Sequence, residues 1–323
     1  MKMENIISLT VNPAIDKSTS VAGIKPNSKL RCDTPVYEAG GGGINISRVI
    51  KELGGTSLCM YLAGCATGVH LIQMLTEADM LQQIIPIAGW TRENLAVTDT
   101  MTQQQYRFGM PGPQITEKEW QQTLEHLVAI LAEGDYLVAS GSLPPGVPTD
   151  FYARIAAIAK SKNVKLILDT SGEALLYGAK EGVYMLKPNL GELSALCGVK
   201  SVSSIDLEPL ARELLEQKSC EVIVVSLGAR GALLVTKDLT EYISAPTIHP
   251  QSTIGAGDSM LAGMVLGLAQ GKSFSEMAKF GVACGTAAAM SPGTQLCKKQ
   301  DVEGLYKWIL SNTNTTGRIE MDT

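Results

Sequence analysis

Short runs of hydrophobic residues alternate along the chain with longer segments in which hydrophobic residues recur every three to four positions. The runs predict strands, because strands buried in a parallel sheet are continuously apolar. They lie at 6–11, 58–63, 136–139, 166–169, 183–186, 222–226 and 232–236. The periodic segments predict helices at about 116–132, 149–162, 206–218, 258–270 and 274–290. This alternation predicts an α/β fold in which helices cover both faces of a mostly parallel sheet.

Two segments, at about 12–37 and 88–110, interrupt the alternation of strands and helices. Both carry Thr, Val, Tyr and Arg among turn-forming residues, which predicts exposed β-hairpins or loops. No linker divides the remaining sequence, so we expect one α/β domain over residues 1–310. The polar segment 311–323 is expected to be a C-terminal tail outside that domain.

The composition excludes several classes of function. The net charge of −5, without a run of Lys or Arg, argues against a nucleic-acid-binding surface. No stretch approaches the length of an apolar membrane span. Seven cysteines without a Cys-x-x-Cys pair predict free thiols in a reducing compartment and no zinc site. We therefore expect a cytoplasmic protein that binds neither nucleic acid nor membrane.

The most informative motif is Thr-Ile-Gly-Ala-Gly-Asp at 253–258, which precedes an apolar, helix-like run. Gly255, Ala256 and Gly257 allow the backbone to present successive N–H groups to an anion at a helix N-terminus. A carboxylate there repels phosphate, so Asp258 is expected to do chemistry, such as taking a proton from an attacking hydroxyl. The alternative is an ordinary loop in which Asp258 is the N-cap residue.

A second glycine cluster, at 40–43, also leads into a helical pattern. Four consecutive glycines carry a large entropic cost on folding, which is expected where a ligand must contact the backbone. Asn45, at the start of the helix, offers a donor and an acceptor that suit sugar hydroxyls. A flexible linker is the alternative, and the apolar segments on both sides of the cluster disfavour it.

Six motifs, in this order along the chain, resemble the ribokinase-like, or PfkB, family of sugar kinases. They are Asn-Pro-Ala-Ile-Asp at 12–16, the glycine cluster with Asn45, Ser-Gly-Ser-Leu-Pro-Pro-Gly at 140–146, Lys-Pro-Asn-Leu-Gly-Glu at 187–192, Ser-Leu-Gly at 226–228 and Gly-Ala-Gly-Asp at 255–258. The resemblance covers nearly the whole chain and implies a three-layer ribokinase-like fold with a small β-sheet lid from 12–37 and 88–110. In this family the lid commonly forms the dimer contact, so a homodimer is expected.

Within the family, the chain is similar to the branch that phosphorylates phosphosugars. 1-Phosphofructokinases and tagatose-6-phosphate kinases usually carry a lysine in the cluster, where this chain has Gly42. The resemblance therefore implies ATP-dependent phosphorylation of fructose 6-phosphate at O1, with those two activities as alternatives. A dinucleotide-dependent oxidoreductase would need a glycine-rich turn after the first strand, and 10–16 contain no glycine. A sugar-nucleotide sensor without catalytic activity is a third class, which the intact Asp258 disfavours.

The resemblance implies roles for the motif residues on the sugar side. Asp258 is the expected general base, while the backbone N–H groups of Gly255, Ala256 and Gly257 hold the developing charge. The residues expected to bind the sugar are Asp16, Gly41, Gly42, Gly43, Asn45, Asn94 and Ser142.

Cationic side chains in the two lid segments are the expected ligands of the sugar phosphate. Arg92 and Arg107 lie in the second segment, and a guanidinium matches phosphate oxygens in geometry. Lys29 and Arg31 lie in the first segment, where they are candidates for this phosphate, for the nucleotide or for the site of a neighbouring subunit. Solvated surface charge is the alternative for each of the four.

The motifs on the nucleotide side imply sites for ATP, Mg²⁺ and a monovalent cation. The residues expected to bind the nucleotide are Lys187, Asn189, Ser226, Gly228 and Gly231. The spacing of Asn189 and Glu192 suits Mg²⁺ held largely through water, and it equally suits a helix capping box. By resemblance, a K⁺ site is expected from Ser252, Ile254, Ala288, Ser291 and Gly293.

Overall fold

The structure is a computed structural model that describes residues 5–312. A nine-stranded sheet forms its centre. With strands numbered along the chain, its members are β1 (Ile6–Thr10), β4 (Leu58–Ala63), β5 (Leu81–Pro86), β8 (Tyr136–Ser140), β9 (Lys165–Asp169), β10 (Val183–Leu186), β11 (Cys220–Ser226), β12 (Ala232–Thr236) and β13 (Thr240–Ile243). Their order is β13-β12-β11-β10-β9-β8-β1-β4-β5. Only the β11–β12 and β12–β13 pairs among these described strands are antiparallel, so the predicted mostly parallel sheet is confirmed.

Helices cover both faces of this sheet. In the described part of the chain they are α1 (Gly42–Glu52), α2 (Cys65–Glu77), α3 (Glu117–Ile130), α4 (Phe151–Ser161), α5 (Gly172–Glu181), α6 (Leu190–Leu196), α7 (Leu207–Glu216), α8 (Ala256–Ala269), α9 (Phe274–Ala289) and α10 (Lys299–Asn312). The five helices predicted from periodicity correspond to α3, α4, α7, α8 and α9, and α1 follows the glycine cluster as predicted. The hydrophobic pattern missed α2, α5, α6 and α10, although the spacing of Asn189 and Glu192 suits the capping box that starts α6.

Two hydrophobic clusters on opposite faces of the sheet make the arrangement three-layered. On β8, Leu137 and Ala139 belong to the cluster that contains Phe151 of α4, whereas Val138 belongs to the cluster that contains Leu261 of α8. Alternate side chains of a strand point to opposite faces, so each central strand contributes to both clusters. Burial of each large apolar side chain stabilises the fold by about 1.5–3 kcal/mol. The predicted three-layer fold is confirmed.

A second sheet, here called the lid sheet, consists of β2 (Ala14–Val21), β3 (Val36–Gly40), β6 (Arg92–Asp99) and β7 (Gln104–Phe108). Its order is β3-β2-β6-β7, with β2 and β6 parallel and both outer pairs antiparallel. The sheet lies in the two predicted lid segments, except that β3 continues beyond residue 37 to Gly40. Val36, Tyr37, Tyr106 and Phe108 expose hydrophobic side chains on it. The predicted small second sheet is confirmed.

The remaining predictions about the chain concern its C-terminus, membrane association and thiols. α10 ends at Asn312, so it passes the predicted end of the domain at residue 310, and the predicted tail from residue 313 onward lies outside the described residues. None of the helices between residues 5 and 312 is long and apolar enough to cross a membrane. All seven cysteines are free thiols, as predicted.

Candidate active site

The sequence motifs meet at the carboxyl ends of the parallel strands. β8 ends at Ser140, β9 ends at Asp169, and Lys187 directly follows β10. Parallel strands end on the same edge of a sheet, so the loops that follow them share one surface. A wider cleft of about 1140 Å³ lies at the opposite ends of β9, β10 and β11 and contains none of the motif residues. We therefore place the candidate site at the carboxyl edge.

The start of α8 has the form of an anion site. Gly255 is its N-cap residue and has a φ of 71°, a left-handed conformation that glycine adopts without strain. A Cβ at this position would also lie 2.6 Å from Leu296 Cδ2. The first N–H groups of a helix have no partner inside the helix, and the helix dipole makes them favour an anion. Since Gly255 occupies the N-cap position, the alternative that Asp258 is the N-cap residue is wrong.

Asp258 lies in the first turn of α8, deep in the molecule, with part of its side chain open to the site. Asn45 Nδ2 donates a hydrogen bond of 2.8 Å to Asp258 Oδ2. Burial, followed by the charge of Asp169, raises the pKa of Asp258 to about 6, against smaller opposing effects of Asn45 and Lys187. Such a carboxylate is ionised at neutral pH and accepts a proton more readily than an ordinary Asp.

Lys187 is 6% exposed and forms an ion pair of 3.2 Å with Asp169. Burial alone lowers the pKa of Lys187, but Asp169, with Asp258 and Glu192, raises it above its usual value, so the ammonium stays charged. Its Nζ would lie 3.5 Å from a Cβ at Gly257, which places positive charge beside the start of α8. Sequence reasoning missed Asp169, although a carboxylate that ends an apolar strand on this edge is a usable signal.

The glycine cluster at the start of α1 is explained in part by packing. Gly41 is the N-cap residue and has a φ of 116°. A Cβ at Gly42 would lie 2.1 Å from Ser140 Oγ, and one at Gly43 would lie 2.6 Å from Thr10 Oγ1. The close approach of α1 to the ends of β1 and β8 therefore requires small residues here, independently of any ligand contact.

Asp16 of β2 is held in place by neighbours on the lid sheet. Its Oδ1 accepts a hydrogen bond of 2.8 Å from Asn94 Nδ2. A Cβ at Gly40 would lie only 2.1 Å from Asp16 Oδ2, so this glycine, which belongs to the predicted cluster but not to the expected sugar ligands, makes room for the carboxylate. Burial raises the pKa of Asp16, Asn94 and Arg92 oppose this shift, and Glu38 adds to it. The structure thus brings the predicted sugar ligands Asp16 and Asn94 together.

A cavity of about 240 Å³ lies between the lid sheet and the loops beside α8. Asp16, Asn94 and Arg107 line it from the lid sheet, and Ile254 and Thr294 line it from the opposite side. Hydroxyl groups match the carboxylate and the amide, and an anionic group matches the guanidinium. The cavity is therefore suited to a small polar ligand that carries negative charge.

Arg92, at the start of β6, donates hydrogen bonds to two loops at the base of the lid sheet. Its Nη1 donates to Met110 O and its Nη2 donates to Asn12 O, both at 2.9 Å. Its Nε is buried without a partner. Burial lowers the pKa of Arg92, and the charge of Asp16 opposes that shift. The guanidinium therefore holds two backbone carbonyls, and its contact with a sugar phosphate stays a prediction.

Lys29 and Arg31 are exposed on the connection between β2 and β3, and they do not belong to the wall of the 240 Å³ cavity. Within one chain, the structure does not bring these two predicted cations to the site. Ser142, by contrast, lies next to it and accepts a hydrogen bond of 3.2 Å from Asn12 Nδ2. Asn12 is buried and its Oδ1 has no partner, so the first motif contains a polar group that the sequence reasoning missed.

Asn189 and Glu192 form the capping box of α6. Asn189 Oδ1 accepts from Glu192 N, and Glu192 Oε2 accepts from Asn189 N, both at 2.9 Å. Burial, and then the nearby Asp169, raise the pKa of Glu192, while its bond to Asn189 opposes the shift. In the described residues, no group of three or more His, Cys, Asp or Glu side chains could hold a metal ion. A Mg²⁺ here would therefore take most ligands from water and phosphate.

The loop after β11 is tied to the Lys187–Glu192 motif. Ser226 N and Oγ donate to Pro188 O at 2.9 and 3.4 Å. Gly228, with a φ of 62°, faces open space. Gly231 has a φ of 102°, and a Cβ there would lie 1.9 Å from Ile243 O. The turn between β11 and β12 therefore already requires Gly231, whereas Gly228 is free to approach a ligand.

The two segments of the expected K⁺ site lie side by side. Gln251 N and Ser252 N donate to Ala289 O at 2.8 and 3.4 Å, and Ile254 N donates to Ser252 Oγ at 3.2 Å. This pairing brings Ser252 and Ile254 next to the segment 288–293, which contains the other three expected ligands, Ala288, Ser291 and Gly293. Both segments offer hydroxyl and carbonyl oxygens as ligand atoms for a cation, and hard cations prefer oxygen ligands.

Comparison with known proteins is consistent with this geometry. The model of the pfkB family of carbohydrate kinases matches residues 4–301. The ATP-dependent 6-phosphofructokinase isozyme 2 of Mycobacterium tuberculosis is 41% identical over 302 residues, covering 94% of this chain and 89% of that protein. Crystal structures of Escherichia coli phosphofructokinase-2 with potassium and with fructose 6-phosphate have TM-scores of 0.92 and 0.90, at 40% and 39% identity. Each of the two matches covers 95% of this chain and 100% of the Escherichia coli chain. The chain therefore belongs to the PfkB family of carbohydrate kinases.

Proposed function

We propose that this kinase transfers the γ-phosphoryl group of ATP to the O1 hydroxyl of fructose 6-phosphate, giving fructose 1,6-bisphosphate. The observation that carries the proposal is the placement of a carboxylate in the wall of the cavity, close to the carboxylate at the start of α8. Asp16 lies in the wall of the cavity, and its charge is close enough to Asp258 to raise the pKa of that residue. A hydroxyl bound beside Asp16 would therefore lie near a base at the start of α8. The names of the 6-phosphofructokinase relatives support the same substrate.

The chemistry assigned to the start of α8 is proton removal and charge stabilisation. Asp258 takes the proton from O1 as this oxygen attacks the γ-phosphorus. The backbone N–H groups at Gly255, Ala256 and Gly257 and the ammonium of Lys187 hold the negative charge of the transferred group. Phosphoryl transfer has a loose transition state that depends mainly on alignment, so a modestly raised pKa is sufficient for the base.

The sugar is held between the lid sheet and the start of α1. Asp16 accepts hydrogen bonds from two hydroxyls, and Asn94, Asn45 and Ser142 add amide and hydroxyl partners. The 6-phosphate lies near Arg107, with the free Nε of Arg92 as a second donor. Gly41, Gly42 and Gly43 keep the backbone of α1 close to the ligand.

Position 42 favours fructose 6-phosphate over the two alternative activities. The alternative subfamilies usually carry lysine there, whereas even a Cβ at Gly42 would lie 2.1 Å from Ser140 Oγ. The start of α1 therefore packs in a way that requires glycine at position 42, and the proposed sugar pocket of this chain has no lysine there.

The residues present fit Mg²⁺ and K⁺. Glu192 and Asp169 are close enough for the charge of Asp169 to raise the pKa of Glu192, and these two carboxylates would hold Mg²⁺. A divalent cation bound there would offset their repulsion and supply positive charge for the phosphates of ATP. Ser252, Ile254, Ala288, Ser291 and Gly293 offer oxygen donors for K⁺, and the related Escherichia coli enzyme was crystallised with potassium. On the nucleotide side, the surface that faces ATP is formed by Asn189, Ser226 and Gly228. Gly231 is required by the turn between β11 and β12 and is not assigned a contact with ATP.

The test of the function is a panel of acceptors with ATP and Mg²⁺, in which ADP release is measured. Fructose 6-phosphate is expected to give the highest kcat/KM, above tagatose 6-phosphate, fructose 1-phosphate, fructose and ribose. A higher kcat/KM for tagatose 6-phosphate or fructose 1-phosphate would replace the proposal with the corresponding activity. No ADP release with any of the five sugars would reject it.

A further inference from the structure

Glu38, on β3 of the lid sheet, accepts a hydrogen bond from Thr294 Oγ1, 256 positions away in the sequence. Thr294 lies in the loop 290–298 between α9 and α10. The side chain of Glu38 is 14% exposed, and Thr294 is 9% exposed. The contact is therefore a shielded, charge-assisted link between the lid sheet and the body of the molecule.

The position of Glu38 carries an electrostatic cost. It stands directly opposite Asp16 in the β2–β3 register, so both carboxylates are on the same face of the lid sheet. Like charges in this arrangement repel each other, and the charge of Glu38 raises the pKa of Asp16. The charge of Arg48 offsets part of the repulsion through an ion pair of 3.4 Å with Glu38, and a bond of 2.7 Å to Ala39 O holds the guanidinium in place. A neutral residue would avoid the repulsion, so Glu38 needs a further role.

The loop that receives Glu38 touches both the cavity and the anion site. Thr294 lines the same cavity as Asp16. Two residues further on, Leu296 packs so closely on Gly255 that a Cβ there would lie 2.6 Å from its Cδ2. A continuous set of contacts thus runs from Glu38 through the loop to the turn that starts α8.

We propose that Glu38 and Thr294 form a latch that fixes the lid sheet, and with it Asp16, relative to the start of α8. Both are positioning residues, since neither is assigned a bond to the substrate. The latch holds the two walls of the sugar cavity at the spacing that binds a phosphosugar, while the nucleotide surface near Lys187 does not depend on it. This inference rests on the proposed function, because fructose 6-phosphate is taken as the ligand of the cavity.

Binding to the full-length protein, measured by calorimetry without turnover, tests the latch. Thr294→Val removes the donor and keeps the volume, and it is expected to raise the Kd of fructose 6-phosphate about tenfold. Glu38→Ala should give a similar rise, while Glu38→Gln, which keeps an acceptor oxygen, should stay within about threefold of wild type. The double variant Glu38→Ala/Thr294→Val should bind no more weakly than either single one, since both remove the same bond. The Kd of ATP should change less than about twofold in all four.

Thr123→Val is the matched control, because Thr123 is also buried and bonds only to Glu119 O within α3. A folded Thr294→Val that binds fructose 6-phosphate as tightly as Thr123→Val overturns the latch, as does an equal loss for ATP. Hydrogen–deuterium exchange of the amides at 36–40 in the ligand-free protein should be faster in Thr294→Val, and unchanged exchange also overturns the proposal. If wild type prefers another sugar of the panel, the proposed function fails alone, and the same comparison with that sugar decides the latch.

Discussion

The amide of Asn45 donates a hydrogen bond to the carboxylate of Asp258, which joins the glycine-rich starts of α1 and α8 across 213 residues of sequence. Neither helix start alone makes a site for phosphoryl transfer. Together they place a half-buried carboxylate at the start of α8, near the cavity that we propose to bind the sugar. The bond also favours the ionised form of Asp258 against the effect of burial, which is the form that the proposed base role requires at neutral pH.

Replacement of Asp258 by Asn should separate activity from stability. Turnover should fall by about 10²–10⁴, the usual effect of losing a positioned general base. An acid whose pKa is raised in the folded state stabilises the fold fully only below its ordinary pKa of 3.8, and this contribution is lost as pH rises through about 6. A neutral amide avoids the cost of the buried charge, so Asp258→Asn is expected to be more stable than wild type at pH 7.5 by about 1–3 kcal/mol. Steady-state kinetics and thermal melting check both statements, and near-normal turnover in a folded variant would remove Asp258 from the base role.

The pH dependence of the wild-type enzyme should report the same carboxylate. Protonated Asp258 cannot accept the proton of O1, so kcat is expected to fall about tenfold per pH unit below pH about 6 and to level off above it. The second pKa of a phosphate group also lies near 6, so kcat at saturating sugar is the informative quantity. A kcat that stays constant down to pH 5 would contradict the assignment.

Arg107 and Arg92 should behave differently when replaced by Ala. Arg107 is exposed and lines the cavity, so Arg107→Ala should raise the KM for fructose 6-phosphate by tenfold or more without changing thermal stability, since a charge-assisted bond contributes about 1.5–3 kcal/mol. Arg92→Ala should raise the same KM and also lower the melting temperature, because it removes the bonds to Asn12 O and Met110 O. Loss of ATP affinity in both variants would show that the sugar phosphate lies elsewhere.

The sequence predicted the centre of the fold better than its edges. The strand predicted at 58–63 is entirely apolar and matches β4 residue for residue, because both faces of a central strand are buried. β5 and β13 fully bury only Ile85 and Ile243, so their sequences show no continuous run. α10 fully buries only Val302 and Ile309, too few for a recognisable period.

The same contrast holds for the candidate site. Motifs located Asp258, Asp16 and Asn45, because local spacing and family resemblance both mark them. Asp169 and Thr294 belong to no motif, and they matter only through partners that are distant in sequence. A pattern read along the chain does not contain such contacts, which arise from the pairing of strands and the packing of loops.

Glu192→Gln should raise the Mg²⁺ concentration needed for half-maximal activity at fixed ATP. Gln keeps an oxygen for the capping bond to Asn189 N, but it removes one negative charge beside Asp169, which weakens recruitment of a cation. Glu119 forms the same kind of capping box with Thr116 at the start of α3, so Glu119→Gln is the matched control. Equal Mg²⁺ titrations for wild type and both variants would leave Glu192 with the capping role alone.

The chain is predicted to be a homodimer joined through the lid sheet. Val36 on one face of the lid sheet, and Tyr37, Tyr106 and Phe108 on the other, leave hydrophobic surface open, and a sheet of four short strands is stable when such surface is covered. A two-fold partner that presents the same sheet provides the cover and would bring Lys29 and Arg31 toward the neighbouring site. Val97, in contrast, is only 8% exposed, so its replacement tests the folding of the lid sheet rather than the contact.

Val36→Asp should therefore weaken both assembly and activity, because it places a charge on a side chain that is 57% exposed in the single chain and that the predicted dimer would bury. Val128→Asp is the control, since Val128 is 46% exposed on α3, away from the lid sheet. Sedimentation at micromolar protein should give a dimer for wild type and for Val128→Asp, with a monomer fraction that grows for Val36→Asp as the protein is diluted. Reversal of the charge at isolated polar positions of the lid sheet should leave the dimer intact. A wild-type enzyme that is monomeric and fully active would reject the dimer, and the bound substrate would then be the only cover for the lid sheet.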